Sequence, residues 1–119
     1  MSEASIAEAK RWYWQRISAM VLTLCVLVHL AVMIYAVRGG LSAAEILGRT
    51  HGSWSFGIFY AVFVVACAVH VPVGLANVAR EWWGVGALAA LWGARLFGLI
   101  LLFTGLRAVW AVVVGGAVA

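Results

Sequence analysis

His70 is the residue of this chain most suited to chemistry, because it lies near the middle of an apolar run from Phe56 to Ala79. At about 100° per residue, a helix places it on a narrow face of small, aromatic and polar side chains. That face holds Phe63, Ala66, Cys67, His70, Gly74, Asn77 and Glu81. Ionisable groups inside hydrocarbon are costly and usually functional. A neutral imidazole flanked by small residues suits a flat metal cofactor, and the alternative is a hydrogen bond between helices.

The composition indicates a membrane protein. Of the 119 residues, 66% are hydrophobic and 10% are charged, which is more apolar surface than a soluble domain of this length could bury. Three stretches reach the roughly 20 residues that span a bilayer. We therefore predict an all-α integral membrane protein, with a single domain over residues 1–119 and three transmembrane helices at about residues 17–37, 55–80 and 90–114.

The basic residues predict the orientation of the spans. One side of the membrane would carry Lys10, Arg11, Arg16, Arg80 and Arg95, and the other Arg38 and Arg49. Because cytoplasmic loops are enriched in Lys and Arg, we expect a cytoplasmic N-terminus and a C-terminus outside. This asymmetry explains the net charge of +4, so the charge does not indicate nucleic-acid binding. The first apolar run is too long for a signal-peptide core and is expected to remain.

The segments flanking the spans agree with these boundaries. Aromatic residues that suit the lipid headgroup level precede the first span and bound the second: Trp12, Tyr13, Trp14, Trp54, Trp82 and Trp83. Between the first two spans, Ser42 and Glu45 form a capping-box pattern that predicts one or two helical turns. His51 follows as an expected solvated loop residue. Residues 1–9 are expected to form a short cytoplasmic tail, which could become helical near the membrane.

A second histidine, His29, lies within the first span. It is 11 residues beyond Ser18, and His70 is 11 residues before Glu81, so each would lie about 16 Å from the cytoplasmic end of its helix. Because the two helices run antiparallel, both imidazoles are expected at one depth, where they could ligate a single haem. Cys25 and Cys67, each one turn before a histidine, are read as small apolar residues that leave space beside it.

The third span supplies the remaining polar groups. Arg95 is expected to snorkel to the cytoplasmic headgroups, with a cofactor-propionate contact as the alternative. The sequence leaves the depth of Arg107 open. A ridge of small residues is expected to serve close helix packing: Ala87, Ala90, Ala94, Gly98 and Gly105. In the second span, Pro72 cannot donate to the carbonyl of Ala68 and should bend the helix.

Two motifs of this chain are similar to motifs of a known family of membrane subunits. Gln15-Arg16-Ile17-Ser18-Ala19 opens the first span, and His70-Val-Pro-Val-Gly74 precedes Glu81-Trp82 at the end of the second. With three spans in this order, the chain resembles the cytochrome b membrane-anchor subunits of succinate dehydrogenase and fumarate reductase. The resemblance implies that His70 is an axial ligand of haem b and that Gly74 lets the porphyrin lie against the backbone.

The resemblance also implies a quinone site for ubiquinone or menaquinone. Arg16 would lie near the haem propionates and the quinone, with Ser18, Glu81 and Trp82 beside it near the cytoplasmic surface. Some family members have Asp-Tyr where this chain has Glu81-Trp82, and an indole can donate a hydrogen bond but cannot accept one. The second haem ligand has two possible sources, which are His29 and the second helix of a sister anchor subunit.

The expected function is that of an anchor and electron-transfer subunit in the bacterial cytoplasmic (inner) membrane. The chain has no dinucleotide-binding glycine motif and no cysteine cluster, so flavin and iron–sulfur chemistry would belong to partners. Those partners would be an FAD flavoprotein, an iron–sulfur subunit and a second membrane anchor. The alternatives are a non-redox membrane scaffold, which needs no buried histidine, and a small transporter or channel subunit, which should show broken helices or a polar pore.

Overall fold

The structure is a computed structural model that describes residues 2–115. Its elements are α1 (Glu3–Gly39), α2 (Ala43–Thr50), α3 (Trp54–Trp82), α4 (Ala87–Trp110) and a π-helical turn (Ala111–Gly115). Over this range there is no strand. Three helices are long and apolar enough to cross a membrane: α1, α3, and α4 together with the π-helical turn. The predicted all-α membrane fold with three spans is therefore confirmed.

The first helix begins earlier than predicted. It starts at Glu3 instead of near residue 17, so the expected tail is part of one helix of 37 residues. The Ser2 side chain caps it by accepting a hydrogen bond from the Ser5 backbone N–H at 3.2 Å. Glu3 in the first turn complements the positive end of the helix dipole. Hydropathy marks only the apolar part of such a helix, because the cap and the polar first turns lie outside the hydrocarbon.

The middle element of the bundle is α3, which packs against α1 on one side and α4 on the other. Two side-chain contacts fix its register with α1. Ser18 contacts His70, and His29 contacts Tyr60. An advance of 11 residues along α1 therefore moves the contact point 10 residues back along α3, as expected for antiparallel helices.

Small residues bring α3 and α4 close together, as the ridge predicted. Ala90, Ala94 and Gly98 are buried, whereas Ala87 at the start of the helix is exposed. A Cβ on Gly98 would lie 2.6 Å from Pro72 Cγ and 3.4 Å from the carbonyl oxygen of Ala68. That carbonyl is the one that Pro72 leaves without its helical donor. The backbone of α4 therefore lies directly over the proline site of α3.

This contact predicts that Gly98→Ala destabilises the bundle although alanine is the better helix former. The proline ring cannot move away as a flexible side chain could, and overpacking typically costs about 1–3 kcal/mol, against a gain of roughly 1 kcal/mol in helix propensity. Gly93→Ala is the matched control, because a Cβ there meets nothing within 4 Å. Thermal unfolding in detergent should rank Gly93→Ala above wild type and Gly98→Ala below it. Equal stability of the two variants would contradict the close packing.

The short helix α2 closes one end of the bundle. The predicted capping box is present, with the Ser42 side chain and the Glu45 side chain each bonded to the other's backbone N–H. The Ser42 hydroxyl and the Ser42 backbone N–H both donate to the Glu45 carboxylate, at 2.7 Å and 3.0 Å, and these bonds hold the pKa of Glu45 below its usual value. At the other end of α2, the buried Thr50 hydroxyl donates to the Val112 carbonyl at 2.8 Å. The bond from Thr50 attaches α2 to the π-helical turn, whose carbonyls lack regular α-helical partners.

Candidate functional site

His70 contacts a buried hydroxyl of α1. Its Nδ1 lies 3.4 Å from Ser18 Oγ, and Ser18 is only 4% exposed. The Ser18 hydroxyl also lies 3.1 Å from the carbonyl oxygen of Gln15, to which it donates. A hydroxyl has one proton to donate, and a carbonyl can only accept. The shorter contact therefore uses the Ser18 proton, which leaves a Ser18 lone pair facing the imidazole.

With the Ser18 proton directed to Gln15, a His70 ring that carries its proton on Nδ1 would donate to Ser18. The lone pair then lies on Nε2, the nitrogen on the other side of the ring. Metal-binding histidines characteristically donate one ring N–H to a protein oxygen, and this bond fixes both the tautomer and the ring orientation. In that tautomer, the contact with Ser18 would have the arrangement seen at metal-binding histidines. The same contact also fits the alternative role of a membrane histidine, a hydrogen bond between helices, because Ser18 lies on α1 and His70 on α3.

A groove beside His70 gives the imidazole access to a bound group. Its volume is about 380 Å³, and its other lining residues all come from α1: Ala19, Leu22, Thr23, Val26 and Leu27. Ala68 and Pro72 face α4, and His70 lies between them in sequence, about 200° around the helix from Ala68. The groove is therefore on the side of the bundle away from α4 and opens laterally, towards lipid or another subunit.

Gly74 and Gln15 lie one turn closer to the predicted cytoplasmic end. A Cβ on Gly74 would lie 3.6 Å from the Gln15 amide nitrogen, so this glycine faces α1. The Gln15 amide oxygen is buried and has no hydrogen-bond partner in the described part of the chain. Buried acceptors of this kind are uncommon and call for a donor. In the sequence, Gln15 stands out only as part of the Gln15–Ala19 motif, since one glutamine in an interfacial segment carries little signal.

The equal depth predicted for the two histidines is wrong. His29 Nδ1 lies 2.9 Å from the Tyr60 hydroxyl, and its ring packs edge-on against Tyr60 and Phe63, with centroid distances of 5.7 Å. His70 instead lies at the level of Ser18, which is 11 residues and about 16 Å from His29 along α1. The prediction placed Ser18 and Glu81 at matching helix ends. In the structure α1 continues to Glu3, and Ser18 lies opposite His70 instead of near Glu81.

This separation bears on the source of a second ligand. Two axial ligands of one haem bind opposite faces of one iron atom and must lie at one level. With α1 and α3 in this register, His29 and His70 cannot both bind a single iron. His29 instead makes the helix-to-helix contact that was the alternative for a membrane histidine, and Tyr60 is the partner that the sequence did not identify.

The four predicted quinone residues do not converge. Ser18 lies beside His70, whereas Glu81 is 11 residues further along α3, about 16 Å at helical rise. Glu81 and Trp82 are both exposed, Trp82 by 77%. Arg16, two residues before Ser18 on α1, is exposed, and its guanidinium lies 5.0 Å from the Trp12 ring centre. Quinone contacts by Arg16, Ser18, Glu81 and Trp82 stay predictions.

The other polar residues lie apart from His70. The guanidinium of Arg95 is 5.4 Å from the Trp92 ring centre, and Arg95 and Arg107 are both exposed. His51 is exposed at the end of α2, and Cys25 and Cys67 are free thiols. Within residues 2–115, no three His, Cys, Asp or Glu side chains are grouped so that they could hold a metal ion.

No protein-family model matches the chain, and neither a curated protein nor a solved structure matches it. The features that bear on function are the contact of His70 with Ser18, the groove that His70 lines, and Arg16, which precedes the groove residues on α1.

Proposed function

We propose that this chain is a membrane-anchor subunit of a succinate dehydrogenase or fumarate reductase-type complex in the bacterial cytoplasmic membrane. In this proposal it binds haem b through His70 and helps to form the quinone site. The observation that supports it best is the bond between His70 Nδ1 and buried Ser18, next to a groove that the imidazole lines.

The residues around His70 fit a haem. His70 Nε2 would bind the iron, the α1 side chains from Ala19 to Leu27 would contact the macrocycle, and Gly74 keeps bulk away one turn along. Arg16 shares a helix face with Ala19 and Thr23, at spacings of three and seven residues, so it extends the groove wall towards the membrane surface. There its charge suits a propionate or a quinone oxygen. When bound, haem b would supply a one-electron carrier between the iron–sulfur subunit and the quinone.

Ser18 acts in this proposal as a positioning residue for His70. Loss of a hydrogen bond that orients a metal-binding histidine typically lowers metal affinity about 10- to 100-fold. We therefore expect Ser18→Ala to release haem at lower detergent or competitor concentrations and to shift the haem reduction potential. Thr23→Val is the matched control, because Thr23 lines the same groove but donates to the Ala19 carbonyl instead. A redox titration with unchanged potential and affinity in Ser18→Ala would remove this role.

The second axial ligand is proposed to come from a sister anchor subunit. His29 is held by Tyr60 about 16 Å from the level of His70, and the groove opens on the lateral surface of the bundle. Another chain that covers this opening could present a histidine to the far side of the haem. The haem would then join two membrane subunits, each of which holds one axial bond.

This arrangement predicts that His29→Ala retains the low-spin bis-histidine spectrum of the complex. The substitution should lower stability by about 0.6 kcal/mol, the average measured for hydrogen bonds between membrane helices, and by no more than about 1.7 kcal/mol. Tyr60→Phe is the control, since it removes the same hydrogen bond and keeps the histidine. The chain produced without a sister anchor should fail to retain haem. Loss of the low-spin spectrum in His29→Ala, with the spectrum kept in Tyr60→Phe, would favour His29 as a ligand.

The anchor role can be tested by purification of the tagged chain from its own membranes in mild detergent. The proposal expects a flavoprotein and an iron–sulfur protein to copurify, with succinate-dependent reduction of added quinone. A scaffold without redox function would copurify other proteins and show no such activity. A transporter subunit would also lack this activity. Either result, with the chain intact, would reject the proposed complex.

A further inference from the structure

Arg107 lies on the face of α4 that points away from the bundle. Gly105 packs against Val64 of α3, and Arg107, two residues later, lies about 200° around the helix. Arg107 is exposed. Its neighbours on the outward side are large apolar side chains with high exposure: Ile100 53%, Phe103 66% and Trp110 65%. A charged guanidinium therefore stands in a surface that otherwise suits lipid.

The register of the helices places Arg107 well inside the apolar layer. It lies at the level of Val62, which is eight residues from the start of α3 at Trp54, or about 12 Å. On α1, exposed apolar side chains continue further towards that end of the bundle: Leu30 52%, Ile34 57% and Val37 62%. A charged group at this depth is expensive and almost always has a partner.

The direction of the side chain disfavours the nearer headgroups as that partner. In an α-helix the Cα–Cβ bond tilts towards the N-terminus. In α4 this direction leads from Arg107 back towards Ala87, into the middle of the layer. The nearer boundary lies in the opposite direction, beyond Trp110. The guanidinium would have to reverse over its own helix turn to reach a phosphate there.

This chain offers no side-chain carboxylate to Arg107. It has four acidic residues. Glu3 and Glu8 lie in the first turns of α1, Glu45 is bonded to Ser42 in α2, and Glu81 ends α3. Glu81 is 19 residues, about 28 Å, from the level of Val62. Since none of the four lies within the apolar layer beside Arg107, a second copy of this chain could not supply the countercharge at this depth either.

We propose that this outward face of α4 binds a transmembrane helix of a different membrane subunit, and that the helix carries a carboxylate that pairs with Arg107. The face is on the opposite side of the bundle from the His70 groove, so this contact does not depend on haem binding. It would give the chain two lateral contacts in the membrane. Charge complementarity at one depth would then fix the register of the partner helix.

The test uses the complex purified in mild detergent and a zero-length cross-linker. In Arg107→Lys, dicyclohexylcarbodiimide should form an amide between the introduced side-chain amine and the partner carboxylate. Mass spectrometry of the cross-linked product should then identify an Asp or Glu within an apolar segment of another subunit. Val62→Lys is the control, because Val62 is exposed at the same depth on a different helix. Arg107→Leu, which is more apolar and should still insert, should lower retention of that subunit about tenfold.

Charge exchange completes the test. Arg107→Glu, combined with a lysine at the cross-linked partner position, should restore retention of the subunit. Three results would overturn the proposal: no cross-link with full subunit retention in Arg107→Leu, a cross-link to a second copy of this chain, or loss of bound phospholipid alone in Arg107→Leu. The last result would identify a lipid phosphate as the partner.

Discussion

His70→Ala is expected to abolish the b-type absorption bands of the purified complex. The substitution removes an axial nitrogen that no neighbouring side chain can replace, because the groove is otherwise lined by apolar residues and Thr23. The measurement is haem content per complex, from the reduced spectrum and from extracted haem. His51→Ala is the control, since His51 is exposed at the end of α2 and should keep the full complement.

Two further measurements distinguish loss of the haem ligand in His70→Ala from a failure of the complex to assemble. The level of the chain in the membrane should stay normal in His70→Ala, and the flavoprotein and iron–sulfur subunits should remain bound. Gly74→Leu should also impair haem incorporation, because a large side chain one helical turn from the proposed ligand would obstruct the macrocycle. A full haem complement in His70→Ala would end the assignment of this residue.

Arg16→Leu is expected to lower kcat/KM for quinone reduction about 5- to 150-fold. This range corresponds to the roughly 1–3 kcal/mol lost with one charged hydrogen bond to a bound oxygen. Dicarboxylate-dependent reduction of a soluble dye, which reports on the partner subunits alone, should stay near normal. Arg11→Leu is the control, because it removes the same charge from an exposed position on the same helix.

The readouts together separate a quinone contact from other roles of Arg16. If Arg16 contacts only a propionate, Arg16→Leu should shift the haem potential and leave KM for quinone unchanged. If it only anchors the helix to headgroups over Trp12, Arg11→Leu and Arg16→Leu should behave alike. Wild-type quinone kinetics in Arg16→Leu, with assembly intact, would move the quinone site elsewhere.

The helices and their contacts with α4 were predictable because they depend on local signals. Apolar length predicts a span wherever it occurs, and the Ser42 and Glu45 spacing predicts the capping box that α2 has. The small-residue ridge predicts close packing, which the structure confirms at Gly98 and Gly105. Each of these signals involves residues within a few turns of one another.

The relative depth of the histidines could not be predicted in the same way. Depth within a bundle depends on how far one helix slides along another, and the sequence offered only its apolar boundaries as markers. Because α1 continues to Glu3, those boundaries are not the ends of the helix. His29 therefore meets Tyr60, and Ser18 meets His70, pairs separated by 31 and 52 residues in sequence. Long-range pairs of this kind leave no periodic signal.

Haem binding by His70 is tested most directly by the reduced-minus-oxidised absorption spectrum of the wild-type complex, purified through this chain. We expect the sharp bands of a low-spin b-type cytochrome, reducible by succinate through the partner subunits and absent in His70→Ala. An intact complex without b-type bands would contradict haem binding, and bands that persist unchanged when His70 is replaced would contradict its role as the ligand.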